Sequence, residues 1–131
     1  MSKRGASVEF RGDTLAFKGK GERRDVPASA IEEIMACELA PPLDGGDEPF
    51  HILLLADGLV VVGPFVSGGV GAIDALRQAY PHITWTQQTV ENIPYRFRAP
   101  GVFGLRLFPE PGLCFAAKEE LAAFRFVKPR E

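Results

Sequence analysis

The strongest constraint on this chain is an apolar run, FHILLLADGLVVVGPF over 50–65, which is interrupted at Asp57-Gly58. Short runs of Leu, Ile and Val favour strands, and Asp-Gly between two such runs is a signal for a tight hairpin turn. Strands with nearly continuous apolar residues lie inside a sheet rather than at its edge. We therefore predict two adjacent central strands joined at 56–59. The run is too short to span a bilayer.

A second hairpin is predicted near the N-terminus, in SVEFRGDTLAFKG over 7–19. Val8 and Phe10 alternate with polar residues before the tripeptide Arg-Gly-Asp, and Leu15 and Phe17 do so after it. Alternation on both sides of a glycine-containing turn is typical of a β-hairpin. The tripeptide also occurs in cell-adhesion motifs, but we interpret it as a tight turn because the chain shows no secretion signal.

The next segments alternate between turns and short elements. KGKGERRD over 18–25 predicts a second turn, and VPASAIEEIMACEL over 26–39 fits either a strand entering a bend or a short helix. APPLDGGDEP over 40–49 predicts an acidic loop, because consecutive prolines end a regular element. After a polar link in QQTVEN, the pattern over 93–116 predicts strands punctuated by Pro-Gly, followed by a two-turn helix and a last short strand.

One helix is predicted with a clear period. Val70, Ile73, Leu76 and Tyr80 recur at spacings of three and four, with polar residues opposite, and Pro81 ends the pattern. We predict a helix over 70–80. With 131 residues, the chain fits a single domain over 1–131.

Composition narrows the class of protein. The net charge of -2 argues against a dedicated nucleic-acid binder, so we expect no nucleic-acid partner. Because the apolar run over 50–65 is too short to span a bilayer, we also expect no transmembrane segment. Two cysteines, Cys37 and Cys114, form no disulfide framework, and the N-terminus lacks the apolar region of a secretory signal. We therefore expect a cytoplasmic location.

The glycine-rich stretch GPFVSGGVGAIDAL over 63–76 raises the question of a phosphate site. Gly69-Val70 stands where a P-loop carries Lys and Ser or Thr, and the third glycine of a dinucleotide fingerprint is missing after Gly71. Asp74 would also repel phosphate at close range. The helix N-terminus still offers N–H donors, so Ser67, Gly68 and Gly69 stay as candidate ligand-binding residues. Our preferred interpretation is a sharp strand-to-helix turn with Ser67 as the helix cap.

Other catalytic or metal-binding patterns are incomplete. Ser67 and Gly69 half-resemble a nucleophile elbow, but Phe65 replaces the preceding glycine, and nothing in the sequence brings His51 or His82 to the serine. The two cysteines and two histidines lack the spacing of a zinc site. We predict no catalytic residue, no metal and no cofactor. The alternating Arg and aromatic residues in YRFR over 95–98 and AFRFV over 123–127 are interpreted as half-buried strands rather than a single-stranded nucleic-acid platform.

A cluster of basic residues in the second turn is a candidate anion-binding surface. It consists of Lys18, Lys20, Arg23 and Arg24, interrupted by Glu22 and Asp25. Such a cluster can attract an acidic lipid headgroup, although a solvated turn with charges of both signs is the interpretation that we favour.

The elements over 6–81 together resemble a bacterial pleckstrin-homology-like domain. The resemblance is carried by the hairpin VEFRGDTLAFKG, the basic turn KGKGERRD, VPASAIEEI, the apolar pair FHILLLADGLVVVGPF and the helix AIDALRQAYP. It implies a bent antiparallel β-sandwich capped by one amphipathic helix, and a role in binding or scaffolding. Some eukaryotic relatives bind phosphoinositides through basic residues in the first hairpin loops. About fifty residues follow the helix here, which departs from that pattern.

We therefore predict a mostly β, α+β fold, arranged as a bent antiparallel β-sandwich with one helix; the alternative is a two-layer sheet-plus-helix fold. The expected function is a non-catalytic binding or assembly module, which associates with itself or with a protein partner through an exposed strand edge. Two alternatives stay open. One is a small enzyme with a cleft near Gly68–Gly71, and the other is an acidic-headgroup binder that uses the basic turn.

Overall fold

The computed structural model describes residues 6–19, 22–39, 49–64, 66–93, 97 and 112–126. These ranges contain nine strands, one α-helix and two short 3-10 helices at Ala28–Ala30 and Lys118–Ala123. In chain order the elements are β1 Ser7–Arg11, β2 Thr14–Gly19, β3 Glu22–Pro27, β4 Ile31–Leu39, β5 Phe50–Leu55, β6 Leu59–Val62, α1 Gly69–Ala79, β7 Thr84–Asn92, β8 Cys114–Ala116 and β9 Arg125–Phe126.

The strands form two sheets. The first has the order β1-β2-β3, and the second has the order β8-β6-β5-β4-β7-β9. The prediction of a mostly β, α+β fold with one helix is confirmed. One neighbouring pair departs from the expected antiparallel arrangement, because β7 runs parallel to β4. Parallel neighbours need a long crossover, and α1 lies within the connection that leads from β6 to β7.

Both predicted hairpins are present. Arg11 pairs with Thr14 across a two-residue turn, in which Gly12 has a φ of 61°. Leu54 pairs with Leu59 in the second hairpin, and β5 and β6 lie in the interior of the larger sheet as predicted. The two runs can occupy interior positions because their side chains are apolar on both faces.

Two segments predicted as turns or links are strands. The prediction of a turn is wrong over 22–25, because these residues belong to β3 and pair in register with β2. The prediction of a link over 87–92 is also wrong, because β7 continues to Asn92 along β4. In β7, Val90 is buried while Gln87 and Glu91 are exposed. Val90 is the one apolar residue in this segment, which explains why its composition resembles that of a loop.

The segment over 26–39, for which two structures stayed open, is a strand with a short 3-10 turn before it. Ala28–Ala30 forms the 3-10 turn, and Ile31–Leu39 forms the nine-residue β4. The predicted helix over 70–80 is confirmed as Gly69–Ala79. The two-turn helix predicted after 116 is the 3-10 helix Lys118–Ala123, and a last short strand follows it as β9.

The hydrophobic core lies on both faces of the larger sheet. On one face, residues of the first sheet and of α1 pack against β4, β5 and β6, with Leu15, Phe17, Leu53 and Leu76 almost fully buried. On the other face, a second cluster surrounds Phe50 and contains these further buried residues: Met35, Cys37, Ile52, Leu59, Val61, Val90, Ile93, Phe97 and Phe124. Burying each large apolar side chain contributes about 1.5–3 kcal/mol.

Part of the predicted organisation lies outside the described residues. The acidic loop over 40–49 does so except at its last residue, and so do most of the strands predicted over 93–116. Of the latter, β8 at Cys114–Ala116 is described, and it pairs with β6.

Candidate functional site

The glycine turn before α1 is built around Gly68. This residue is the N-cap of the helix, with a left-handed φ of 75°, and no side chain donates or accepts a capping hydrogen bond there. The prediction of Ser67 as the cap is therefore wrong. Glycine satisfies the geometry at this position because a residue with a Cβ atom is strained at positive φ.

The same turn packs closely on the backbone of β1. A Cβ atom at position 68 would lie 2.7 Å from the carbonyl oxygen of Val8. The Ser67 amide donates a hydrogen bond of 2.9 Å to the Ala6 carbonyl, and the Val8 amide donates one of 3.0 Å to the Ser67 carbonyl. The turn thus holds β1 against the helix, which is a structural role for Gly68.

A shallow groove of about 310 Å³ runs between β1 and α1, past this turn. Its β1 side is formed by Val8, Glu9 and Phe10. Its helix side is formed by small residues only: Gly68, Gly71, Ala72 and Ala75. The one charged side chain among these lining residues is the carboxylate of Glu9. The lining is therefore complementary to an apolar side chain or to backbone rather than to a phosphate.

The backbone of β1 faces this groove with an open edge. The first sheet ends at β1, and the Val8 amide points away from β2, toward Ser67. Because backbone groups alternate in direction along a strand, the N–H and C=O groups of Phe10 point the same way. Within the described part of the chain, Ser67 is the residue whose backbone hydrogen-bonds to this edge. None of the described residues makes a backbone hydrogen bond to Phe10 on this side of the strand.

The predicted basic cluster is divided between the two faces of the first sheet. Lys18 lies directly opposite Arg23, and both side chains are exposed. Arg24 pairs with Phe17 and extends over the ring of Phe115, with 4.4 Å between the guanidinium carbon and the ring centre. Lys20 lies outside the described residues.

A buried histidine forms a cluster that the sequence did not predict. His51 is 8% exposed on β5, and its ring centre lies 5.9 Å from that of Trp85 on β7. The guanidinium of Arg77 on α1 lies 3.8 Å from the centre of the Trp85 ring. Burial lowers the pKa of His51, and the negative charge of Asp74 on α1 partly opposes that effect. The sequence signal was limited to a polar residue inside an apolar strand.

The two cysteines are far apart. Cys37 on β4 and Cys114 on β8 are separated by β5 and β6, which places them three strand spacings apart, or roughly 14 Å. That separation exceeds the reach of a disulfide. Burial raises the pKa of Cys37 to about 12, so its thiol is protonated at neutral pH. In the ranges that the structure describes, no three His, Cys, Asp or Glu side chains are grouped so that they could hold a metal ion.

A second concave surface lies where the β5–β6 turn meets the 3-10 helix at 118–123. It has a volume of about 450 Å³ and is lined by Ala56, Asp57, Lys118 and Glu119. The Lys118 Nζ atom lies 2.9 Å from Glu32 Oε1. Its cation is therefore already paired with a carboxylate, and this surface is less suited to an anionic ligand.

Comparison with known proteins identifies no family for this chain, so the geometry of the site is the basis for a proposed function. No protein-family model, curated protein sequence or solved structure matches this chain. Among the helices that the structure describes, none has the length and apolar composition needed to cross a membrane.

Proposed function

We propose that this protein is a non-catalytic binding module that adds an extended strand to the open edge of β1. The observation that carries the proposal is the coincidence of this edge with the groove along α1. The backbone groups of Phe10 supply hydrogen bonds for an added strand, and the groove supplies space for one of its side chains. Strand addition of this kind combines main-chain affinity with side-chain specificity.

The other strand edges are less suited to this role. β3, at the opposite end of the first sheet, ends in Pro27, which has no N–H group. Proline is a feature that protects an edge from pairing. The edges of the larger sheet are β8 and β9, which have three and two residues. β1 therefore offers the more accessible backbone.

The helix side of the groove supports the same proposal. Gly71 and Ala75 are exposed and lie one turn apart on α1, while Ile73 and Leu76 are buried in the core. A Cβ atom built at Gly71 meets no other atom within 4 Å. The helix beside Phe10 is thus held in place by its buried residues. Its small residues leave space on the side that faces the groove.

A phage-displayed library of random twelve-residue peptides, selected against the whole chain, tests the proposal when it is combined with hydrogen exchange. Selected peptides should slow exchange of the Phe10 amide, and Gly71→Leu, which fills the groove, should abolish their binding. Gly71→Ala is the matched control because it adds only one methyl group to the groove. Peptides that leave the Phe10 amide unchanged, or that bind Gly71→Leu equally well, would contradict the proposal.

A second candidate function is supported by the position of Lys18 directly opposite Arg23 on the neighbouring strand. Like charges directly opposite each other on neighbouring strands destabilise a sheet, and a bound anion would relieve that repulsion. The headgroup proposal therefore stands on these two residues. Binding to vesicles containing anionic lipid at low salt, lost in Arg23→Glu and retained in Arg24→Glu, would support it. Equal binding by both variants, or none by the unmodified chain, would argue against it.

The pleckstrin-homology-like resemblance and a cytoplasmic location stay part of the proposal. Members of that family act mainly as binding and scaffolding modules, which agrees with strand addition at β1. The parallel pairing of β7 with β4 is a further feature of this fold that the resemblance does not imply.

A further inference from the structure

We infer that protonation of His51 loosens the packing of α1 on the larger sheet, so that this interface acts as a pH-sensitive contact. The inference goes beyond the proposed function, because it concerns the face of α1 that packs on the sheet rather than the groove or the edge of β1. It rests on the position of His51, on the charged groups around it and on the small apolar face that holds α1. The consequence is a local opening of α1 in mildly acidic solution, while the strands of the larger sheet stay paired.

His51 lies in the interface between α1 and the larger sheet. It precedes Leu53 by two residues on β5, so both side chains point to the face where Leu53 and Leu76 of α1 belong to one hydrophobic cluster. Of the residues that the structure describes, His51 is the one buried polar side chain. Its neighbours across the sheet are Val62 on β6 and Ala36 on β4, which offer no partner for a charge. A neutral imidazole therefore fits this interface, whereas an imidazolium ion is poorly solvated there.

The charged groups around His51 come from α1 and β4. Burial disfavours the imidazolium ion more strongly than Asp74 on α1 favours it, so the pKa of His51 lies below its ordinary value. Arg77 on the same helix repels the ion, and its guanidinium lies over Trp85, the ring beside His51. On β4, Glu38 lies on the same face of the strand, while the nearest side chains of β6 and β7 on this face are uncharged. Both carboxylates are exposed, so water weakens their attraction and burial determines the direction.

A small apolar face holds α1 on the sheet. Its buried residues are Gly69, Ala72, Ile73 and Leu76, of which two have large side chains. A helix of eleven residues is not stable by itself in water, so α1 stays helical only while this face is packed. Opening of α1 exposes His51 to water, where the imidazole binds a proton at its ordinary pKa of 6.5. Below that pH, each further unit raises the opening constant by up to about tenfold, until His51 of the closed form is itself protonated.

Hydrogen exchange of the whole chain, corrected at each pH for the intrinsic exchange rate of every amide, tests the inference. Between about pH 7.5 and pH 5.5 the opening constant of the α1 amides should rise roughly five- to tenfold. The amides of β6, inside the larger sheet, should stay better protected than those of α1 throughout. His51→Gln, which keeps a polar side chain but does not titrate, should abolish the rise. His82→Gln is the matched control, because His82 is exposed beside Tyr80 at the end of the helix, and it should retain the rise.

Two results would overturn the inference. One is a rise that is equally large in His51→Gln, because another group would then be titrating. The other is equal protection of the α1 and β6 amides at every pH, because the opening would then be global unfolding rather than release of the helix. Asp74→Asn provides a second test if His51→Gln does not fold. Without this carboxylate the pKa of His51 falls further, so the rise should extend to lower pH, and an unchanged profile would also contradict the inference. None of these outcomes depends on peptide binding at Phe10.

Discussion

Replacing Gly68 with alanine should strongly destabilise the protein, because this residue meets two independent constraints. Its φ of 75° lies in the left-handed region, where an alanine costs about 1–2 kcal/mol. Its new Cβ atom would lie 2.7 Å from the Val8 carbonyl oxygen, a backbone atom that moves only with β1. Relieving that contact would loosen the two hydrogen bonds that Ser67 makes with Ala6 and Val8, each worth about 1 kcal/mol. The expected loss is about 3–4 kcal/mol.

Two matched variants separate these contributions. Gly12 has a φ of 61°, and a Cβ atom added there would meet no other atom within 4 Å, so Gly12→Ala should cost only the left-handed strain of about 1–2 kcal/mol. Gly71 lies in the helix with equally open space, so Gly71→Ala should stabilise by roughly 0.5–1 kcal/mol. Urea unfolding followed by circular dichroism measures all three. A Gly68→Ala loss no larger than that of Gly12→Ala would refute the close approach of Val8.

Three further predictions concern the helix and the larger sheet. Burial lowers the pKa of His51 below its ordinary value of 6.5. As the pH falls, the unfolded chain therefore binds a proton at His51 before the folded protein does. The free energy of unfolding should therefore fall as pH drops below 6.5, and less so in His51→Gln, as measured by urea unfolding across pH. Iodoacetamide should modify the half-buried Cys114 in the native protein and leave Cys37 unmodified, since burial raises the pKa of Cys37 to about 12; equal labelling, mapped by mass spectrometry, would contradict this. Arg77→Ala should alter the fluorescence of Trp85, the one tryptophan in the chain, and cost about 0.5–1 kcal/mol, whereas an unchanged spectrum would argue against their contact.

The sequence correctly predicted the elements whose own residues show the full pattern of apolar and polar positions. The helix at Gly69–Ala79 shows its buried face in Ile73 and Leu76, and the β5–β6 hairpin shows both faces at once. β3 and β7 were missed because their pairing partners, rather than their own residues, determine that they are strands. Half of β7 faces solvent, and its partner β4 is distant in sequence.

The candidate site could be predicted only in part, for the same reason. The sequence located the glycine turn, but the distance from Gly68 to the Val8 carbonyl depends on how β1 meets a turn sixty residues later. The basic residues were predicted as one cluster, yet alternation along β3 sends Arg23 outward and Arg24 over Phe115. The register of a strand determines the face to which each of its side chains points. A run of charged residues that is interpreted as a turn gives no information about that register.

The glycines of this turn differ in function according to what lies beside each of them. Gly68 is in contact with backbone, and Gly69 lies against the Val62 side chain, where a Cβ atom would approach to 3.3 Å. The amides of Ser67 and Gly69 already donate hydrogen bonds to the carbonyls of Ala6 and Val66, which argues against an anion on these two amides. Gly71, one turn further along the helix, has open space, and that space is the groove beside Phe10. A phosphate site would need the opposite arrangement, with open amides at the start of the helix and cations nearby. The turn thus fixes β1 at Gly68 and leaves a groove beside Gly71, which supports the proposal of strand addition at Phe10.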